Sequence, residues 1–165
     1  MEGAVALRQL ETDRAGKQYN QEKGTKFTTE VLTAASNDTD YVSKVEAKWT
    51  ADQANIVGFA GVDGLTRGLA LFIESRNLKG KVAGGGFDYL DATLEGIKKG
   101  VLQWTIGQDP YSQGFLPVML AWIYLERGYP ARDYDTGAEV ADASNIDFII
   151  KREGLWKEKA KEAGF

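Results

Sequence analysis

A small set of polar residues stands just beyond short runs rich in aliphatic and β-branched side chains, and their types suit ligand contact better than bond breaking. Arg14 comes a few residues after Ala4–Leu7, Asn37 and Asp38 follow Lys26–Leu32, and Asp63 follows Asn55–Ala60. Asp88 follows Lys81–Gly86, and Gln108 follows Leu102–Ile106. No nucleophile has a base beside it and no glycine-rich loop precedes a Lys-Ser or Lys-Thr pair, so no catalytic residue is assigned. Carboxylates, a guanidinium and an amide together accept and donate, which matches hydroxyl groups that do both, as on a sugar.

Each of these residues also has a plainer use. Asp63 and Asp88 sit where helix N-caps belong, and a cap satisfies backbone N–H groups at a strand-to-helix turn. Arg14 fits a solvated first turn, and Gln108 before Asp109 and Pro110 fits a turn-shaping role. Gly84, Gly85 and Gly86 lack the spacing of a phosphate-binding loop and suit close backbone packing at the end of a strand.

Composition removes other chemistries. The 165 residues contain no cysteine and no histidine, which excludes thiolate nucleophiles, disulfides, imidazole bases and nearly all zinc sites. No metal or cofactor is expected. The net charge of −4 and the interleaving of Lys157, Lys159 and Lys161 with Glu158 and Glu162 speak against a nucleic-acid partner. The longest apolar-rich run, Phe115–Leu125, is too short to span a bilayer, and no signal-peptide pattern is read at the amino terminus; a soluble chain is expected.

The elements that must position these residues alternate. Each run named above is followed by a segment of helical period: Arg14–Lys23, Asp40–Trp49, Leu65–Arg76, Ala92–Lys99 and Gly114–Glu126. Strands alternating with helices predict parallel βαβ units, here a single three-layer αβα domain with a flavodoxin-like sheet in the order 2-1-3-4-5, with Ala4–Leu7 and Asn55–Ala60 central and helices on both faces. Beyond Gly128–Asp135 the pattern weakens to a short strand at Ala138–Ala141 and a terminal helix at Phe148–Ala163, capped by Asn145 or Asp147. In such sheets ligands bind beyond the carboxyl ends of the strands, which is where the polar set falls.

From Ile56 to Asp147 the chain carries GVDGLTRGLALFIES, KVAGGGFDYLDATLEGIKKG, VLQWTIGQDPYSQGFLPV and DTGAEV followed by NID. This series resembles the carboxyl-terminal lobe of type I periplasmic sugar-binding proteins of the ribose-binding group, the solute receptors of ABC importers. The resemblance implies a monosaccharide ligand bound by Asp63, Asp88 and Gln108, and by an arginine early in the lobe's first helix. Arg14 is matched to that arginine, although the family's Glu-Arg-x-x-Gly-Phe pattern stands here as DRAGKQY. Phe87 is a secondary candidate for the aromatic contacts. The implied partners are an amino-terminal lobe and an ABC permease, and the implied location is periplasmic or extracellular.

Set against that family, the chain reads as about half a receptor, with residues 1–101 as lobe core, 102–127 as the family's crossover strand and helix, and 128–165 as terminal strand and helix. Trp104, Ile106, Leu116, Met119, Trp122 and Ile123 in the crossover segment are expected to be packed. Folding back as a further βα unit keeps the chain monomeric and is the favoured expectation; exchange into a second copy is the alternative. Two other functional classes stay open: the effector-binding core of a lactose-repressor-like regulator and a small flavodoxin-like enzyme using Asp63 or Asp88.

Overall fold

The computed structural model describes residues 2–34, 37–137 and 139–164, with side chains from residue 12 onward. The chain divides into two compact units, Met1–Ala51 and Asp52–Phe165.

In the first unit, α1 (Glu2–Lys23) and α2 (Asp38–Asp52) flank a segment whose described residues form neither helix nor strand. The strand expected at Ala4–Leu7 is helical. Its window, EGAVALRQLETDR, is dominated by Ala, Leu, Arg, Gln and Glu, strong helix formers with no interior break beyond a glycine near its start. Lys26–Leu32 is irregular and is not a member of the sheet. Side chains of α1 take its hydrogen bonds instead. Asn20 donates to the Phe27 carbonyl at 2.7 Å and accepts from the Phe27 N–H at 2.9 Å and the Thr25 hydroxyl at 2.7 Å. Farther along, the Thr29 hydroxyl donates to Asp13 at 2.7 Å and Lys48 of α2 pairs with Glu30 at 2.6 Å. The Asn37 carboxamide accepts from the Asp40 N–H at 2.9 Å and so starts α2.

The second unit contains β1 (Gly58–Ala60), α3 (Thr66–Ser75), β2 (Ala83–Phe87), α4 (Asp91–Lys98), β3 (Trp104–Gly107), α5 (Pro110–Arg127), β4 (Glu139–Asp142) and α6 (Ile146–Glu162). The strands form one sheet in the order β1-β2-β3-β4, the first three parallel and β4 antiparallel to β3. The architecture is therefore α/β with a mostly parallel sheet. The expected order 2-1-3-4-5 is not found, because its first two members are the helical and unpaired segments of the first unit. Its third, fourth and fifth strands are β1, β2 and β3 in adjacent register. Ala138, where the last strand was expected to begin, lies outside the described residues.

Residues on a strand alternate between faces, and the triple glycine uses that alternation. A Cβ on Gly84 would lie 2.7 Å from Ile73 Cδ1, and one on Gly86 would lie 2.1 Å from Thr66 Oγ1, both in α3. On the opposite face a Cβ on Gly85 would lie 2.3 Å from the Trp104 indole. The glycines are thus close-packing residues: they let α3 settle onto one face and an indole lie flat on the other.

Helices α3, α4 and α6 form a layer on the Gly84 face. Leu69, Phe72 and Ile73 of α3, Leu94 and Ile97 of α4, Leu102, Ala141 and Ile149 are buried there. Each large side chain fully covered stabilises the unit by about 1.5–3 kcal/mol. Helix α3 starts at a turn in which Asp63 accepts from the Leu65 N–H at 2.8 Å, and it ends where Asn77 takes a positive φ of 53°. Helix α4 ends at Gly100, with a φ of 71° and the Val101 N–H returning to the Gly96 carbonyl at 2.8 Å.

The crossover segment behaves in two ways. Its strand, β3, pairs beside β2 as folding back requires. Its helix is not covered: no residue of α5 is buried, and Phe115, Val118, Trp122 and Leu125 are exposed. Within the strand, Thr105 is buried, whereas Trp104 and Ile106 occupy the opposite face and are half-buried. The chain turns at the strand's end, where Asp109 adopts a left-handed φ of 47° and starts α5 through bonds to Ser112. Ring stacking of Tyr111 on Trp156, with centroids 5.2 Å apart, then ties the helix to α6 at its first turn.

Candidate functional site

The carboxyl ends of β1, β2 and β3 lie side by side, and each is followed by one of the predicted residues: Asp63, Asp88 and Gln108. Parallel pairing is what gathers them, since strands entered from the same end also finish at the same end.

Asp88 is the most constrained of the three. It is a non-glycine residue with a φ of 72°, held there by its own backbone: its N–H donates to the Ile106 carbonyl at 2.9 Å, and its carbonyl accepts from the Thr105 hydroxyl at 3.1 Å. These bonds aim the side chain at Gln108, whose Nε2 donates to Asp88 Oδ1 at 2.5 Å. The helix-cap role considered for Asp88 is not what its side chain does. Helix α4 starts two residues after Tyr89, Leu90 holds its N-cap position, and no side chain caps it.

Asp63 does carry a turn role, since its carboxylate accepts from Leu65 and its carbonyl accepts from the Thr66 hydroxyl at 2.8 Å. Buried Thr66 also accepts from the Phe87 N–H at 3.3 Å, so one hydroxyl joins the Asp63 turn to the end of β2. The two loops adjoin, because a Cβ on Gly64 would lie 3.4 Å from Asp88 Oδ2. Phe87 is half-buried at the end of β2. Arg14 belongs to the first unit, where it lines a shallow depression with Asp13, Lys17, Gln18 and Gln21. The predicted set is therefore gathered around Asp88 and Gln108, with Asp63 next to them and Arg14 in a separate unit.

A cleft of about 850 Å³ opens beside the pair, lined among others by Gln108, Tyr111, Glu139, Arg152 and Trp156. Three of its residues were not anticipated from the sequence. The Tyr89 hydroxyl donates to the Glu139 carbonyl at 2.8 Å and lies 3.1 Å from the Glu139 carboxylate. Arg152 grips that carboxylate through two N–H groups at 3.0 and 2.6 Å, and also reaches Glu153 at 3.1 Å. The Arg152 bonds hold Glu139 below the usual carboxylate range. Burial first, and then the neighbouring carboxylate, push the Tyr89 phenol far above its ordinary value, so it stays a donor. Tyr89 and Glu139 are fifty positions apart and Glu139 and Arg152 thirteen, so no local spacing marks them.

Asp109 completes the rim. Its carboxylate accepts from the Ser112 N–H at 3.1 Å and from the Ser112 hydroxyl, and these bonds lower its pKa. At the far end of the sheet Asn145 takes the N-cap position of α6, but its side chain reaches back to the strand. It accepts from the Asp142 N–H at 2.9 Å and donates to the Val140 carbonyl at 2.8 Å.

What the pair can do follows from its unspent valences. Among the described hydrogen bonds, Asp88 Oδ2 and the Gln108 amide oxygen have no protein partner, and a second Gln108 N–H remains to donate. A hydroxyl placed there can donate to the carboxylate while accepting from the amide. No cluster of three or more metal-ligating side chains occurs among the described residues, and no described helix is long and apolar enough to cross a membrane.

The chain is similar to known proteins. The chain is 33 % identical over 129 residues to the xylose/arabinose-binding protein XylF of Sulfolobus acidocaldarius, an alignment spanning 73 % of this chain and 32 % of that protein. A solved ABC transporter solute-binding protein from Burkholderia graminis, in complex with D-arabinose, is 30 % identical with a TM-score of 0.61, over 67 % of this chain and 39 % of its own. The fold alone is shared with a periplasmic ribose ABC transporter protein from Conexibacter woesei, at a TM-score of 0.66 and 22 % identity, over 84 % of this chain and 47 % of that one. The chain thus spans between one third and one half of the length of these relatives. With residues 5–129 matched by the model of the periplasmic binding protein domain, the chain belongs to that family.

Proposed function

We propose that this chain supplies one ligand-binding lobe of a monosaccharide receptor serving an ABC importer, and that it acts by binding rather than by catalysis. The observation that carries this reading is the Asp88–Gln108 pair at the carboxyl ends of adjacent parallel strands, with an acceptor and a donor left over for one hydroxyl. Asp63 adds a second carboxylate from the adjoining loop, and Phe87 offers the apolar surface that a sugar's C–H face needs. Arg14 stands apart in the first unit, and Arg14→Ala is its separate test. In a full receptor an amino-terminal lobe closes over the sugar, a permease receives it, and the protein works in the periplasm or outside the cell. The relatives support a pentose as the first ligand to try.

One lobe supplies only part of the hydrogen bonds and leaves the far side of the sugar in water. Binding of the isolated chain is therefore expected at millimolar strength or weaker, no better than about −4 kcal/mol. Titration with D-arabinose and D-xylose, followed by the side-chain amide signals of Gln108, tests it. Asp88→Ala should abolish the response. Micromolar binding by a monomer, or undiminished binding by Asp88→Ala, counts against the reading.

A further inference from the structure

The Asp88–Gln108 pair needs something to hold it, because a left-handed aspartate is a conformation that an L side chain resists. The restraint on its other side begins with the next residue. The end of the Tyr89 ring lies against Gly107, so closely that a Cβ on that glycine would sit 2.4 Å from the ring. Gly107 directly precedes Gln108, so the ring touches the strand end that carries the amide while its own backbone continues from the carboxylate. The ring is fixed in turn by its hydroxyl, bonded to the Glu139 carbonyl on β4 and close to the Glu139 carboxylate. That carboxylate is gripped by Arg152 of α6, whose guanidinium also stands 5.9 Å from the Tyr89 ring centre.

We propose that Tyr89, Glu139 and Arg152 form a positioning chain that runs from α6 through β4 to the Asp88–Gln108 pair and sets the separation of its carboxylate and amide. None of the three needs to touch the ligand. The chain links the last strand and helix to the ends of β2 and β3, so it assigns to α6 a part in ligand affinity that requires no ligand contact from Arg152. The ligand arm of this inference rests on the sugar-site reading; the geometric arm does not.

The test starts in the ligand-free chain. Tyr89→Phe keeps the ring against Gly107 and removes only the hydroxyl, and Arg152→Met removes the grip on Glu139. Both are expected to shift the Gln108 side-chain amide resonances and the Asp88 backbone coupling constant that reports its φ. Arg152→Lys, which retains a charge, is expected to restore them in part. The control is Lys98→Met, which breaks a different ion pair of α6, that of its Asp147 with Lys98 of α4 at 2.9 Å, and should leave the Gln108 signals where they are. In the ligand arm, D-arabinose binding should weaken by about threefold to tenfold in Tyr89→Phe, as expected for one lost hydrogen bond.

If Arg152→Met does not fold, Tyr89→Phe decides alone. Unmoved Gln108 and Asp88 signals in folded Tyr89→Phe overturn the proposal, as do equal shifts in Lys98→Met. If the signals move as expected but the parent chain binds neither pentose, the positioning chain stands and the sugar-site reading fails.

Discussion

Helices α3 and α5 are both rich in apolar residues, yet α3 buries Thr66, Gly68, Leu69, Ala70, Phe72 and Ile73 while α5 buries nothing. The difference lies in what each helix is offered. Helix α3 has an apolar stripe on one face, polar Arg67 and Glu74 elsewhere, and a strand of glycines shaped to receive it. Helix α5 is apolar around most of its circumference, and the Tyr111–Trp156 stack and the bonds of Ser112 to Asp109 and of Gln113 to Gln108 and Thr136 engage it near its start. Apolarity measures the drive to be covered, and a complementary surface decides where that happens.

The sharpest way to break this comparison is a matched pair of truncations. Phe72→Ala should cost the second unit about 3–5 kcal/mol, because the ring is fully enclosed and its cavity cannot collapse against the sheet. Trp122→Ala, a larger deletion on α5, should change stability by no more than about 0.5 kcal/mol. Urea denaturation of both variants checks it, and equal losses would mean that α5 is covered in solution.

How much of this was legible in the sequence follows the same division. The elements from Asn55 onward were readable, because each has both a periodic apolar pattern and a glycine or aspartate that stops it; β1 to β4 and α3 to α6 lie where the pattern put them. In the first fifty residues the helices expected at Arg14–Lys23 and Asp40–Trp49 fall within α1 and α2, but the two strands expected there are not found. Lys26–Leu32 has the composition of a strand, but a strand also needs a neighbour, and here Asn20 and Asp13 satisfy its polar groups from the side. At the site, Asp63, Asp88 and Gln108 could be found because strand ends are local features. Tyr89, Glu139 and Arg152 could not, because their partnership exists only once β4 returns antiparallel beside β3.

A second variant sharpens what the glycines contribute to α3. Gly86→Ala would drive a methyl into Thr66, which also ties the Asp63 turn to β2, and overpacking of this kind costs about 1–3 kcal/mol. Thermal unfolding should show the loss, and a shift of the Asp63 backbone signals should accompany it. Gly114→Ala on α5 meets nothing within 4 Å and should not destabilise the protein.

The smallest effect concerns acid. Arg152 depresses the folded-state pKa of Glu139 below its ordinary value of about 4.5. A depressed carboxylate adds stability that is fully present above the unfolded value and is lost as pH falls through the folded one. The Tyr89–Glu139–Arg152 link should therefore hold at neutral pH and loosen below about pH 4.5, and Glu139→Gln should remove that component of the acid sensitivity. Because the pair is partly exposed, the change should be small and diminished by salt. A salt-independent loss would contradict this account.

Asp88 has a consequence for any attempt to engineer the protein. A positive φ is a conformation glycine adopts freely and aspartate does not, so the native residue keeps its carboxylate at a backbone cost of about 1–2 kcal/mol. A library selected for heat resistance alone should accordingly enrich Asp88→Gly, and a library selected for ligand capture should purge it. Thermal robustness and recognition then pull one position in opposite directions, and the ranking of that substitution reports which of the two a screen has rewarded.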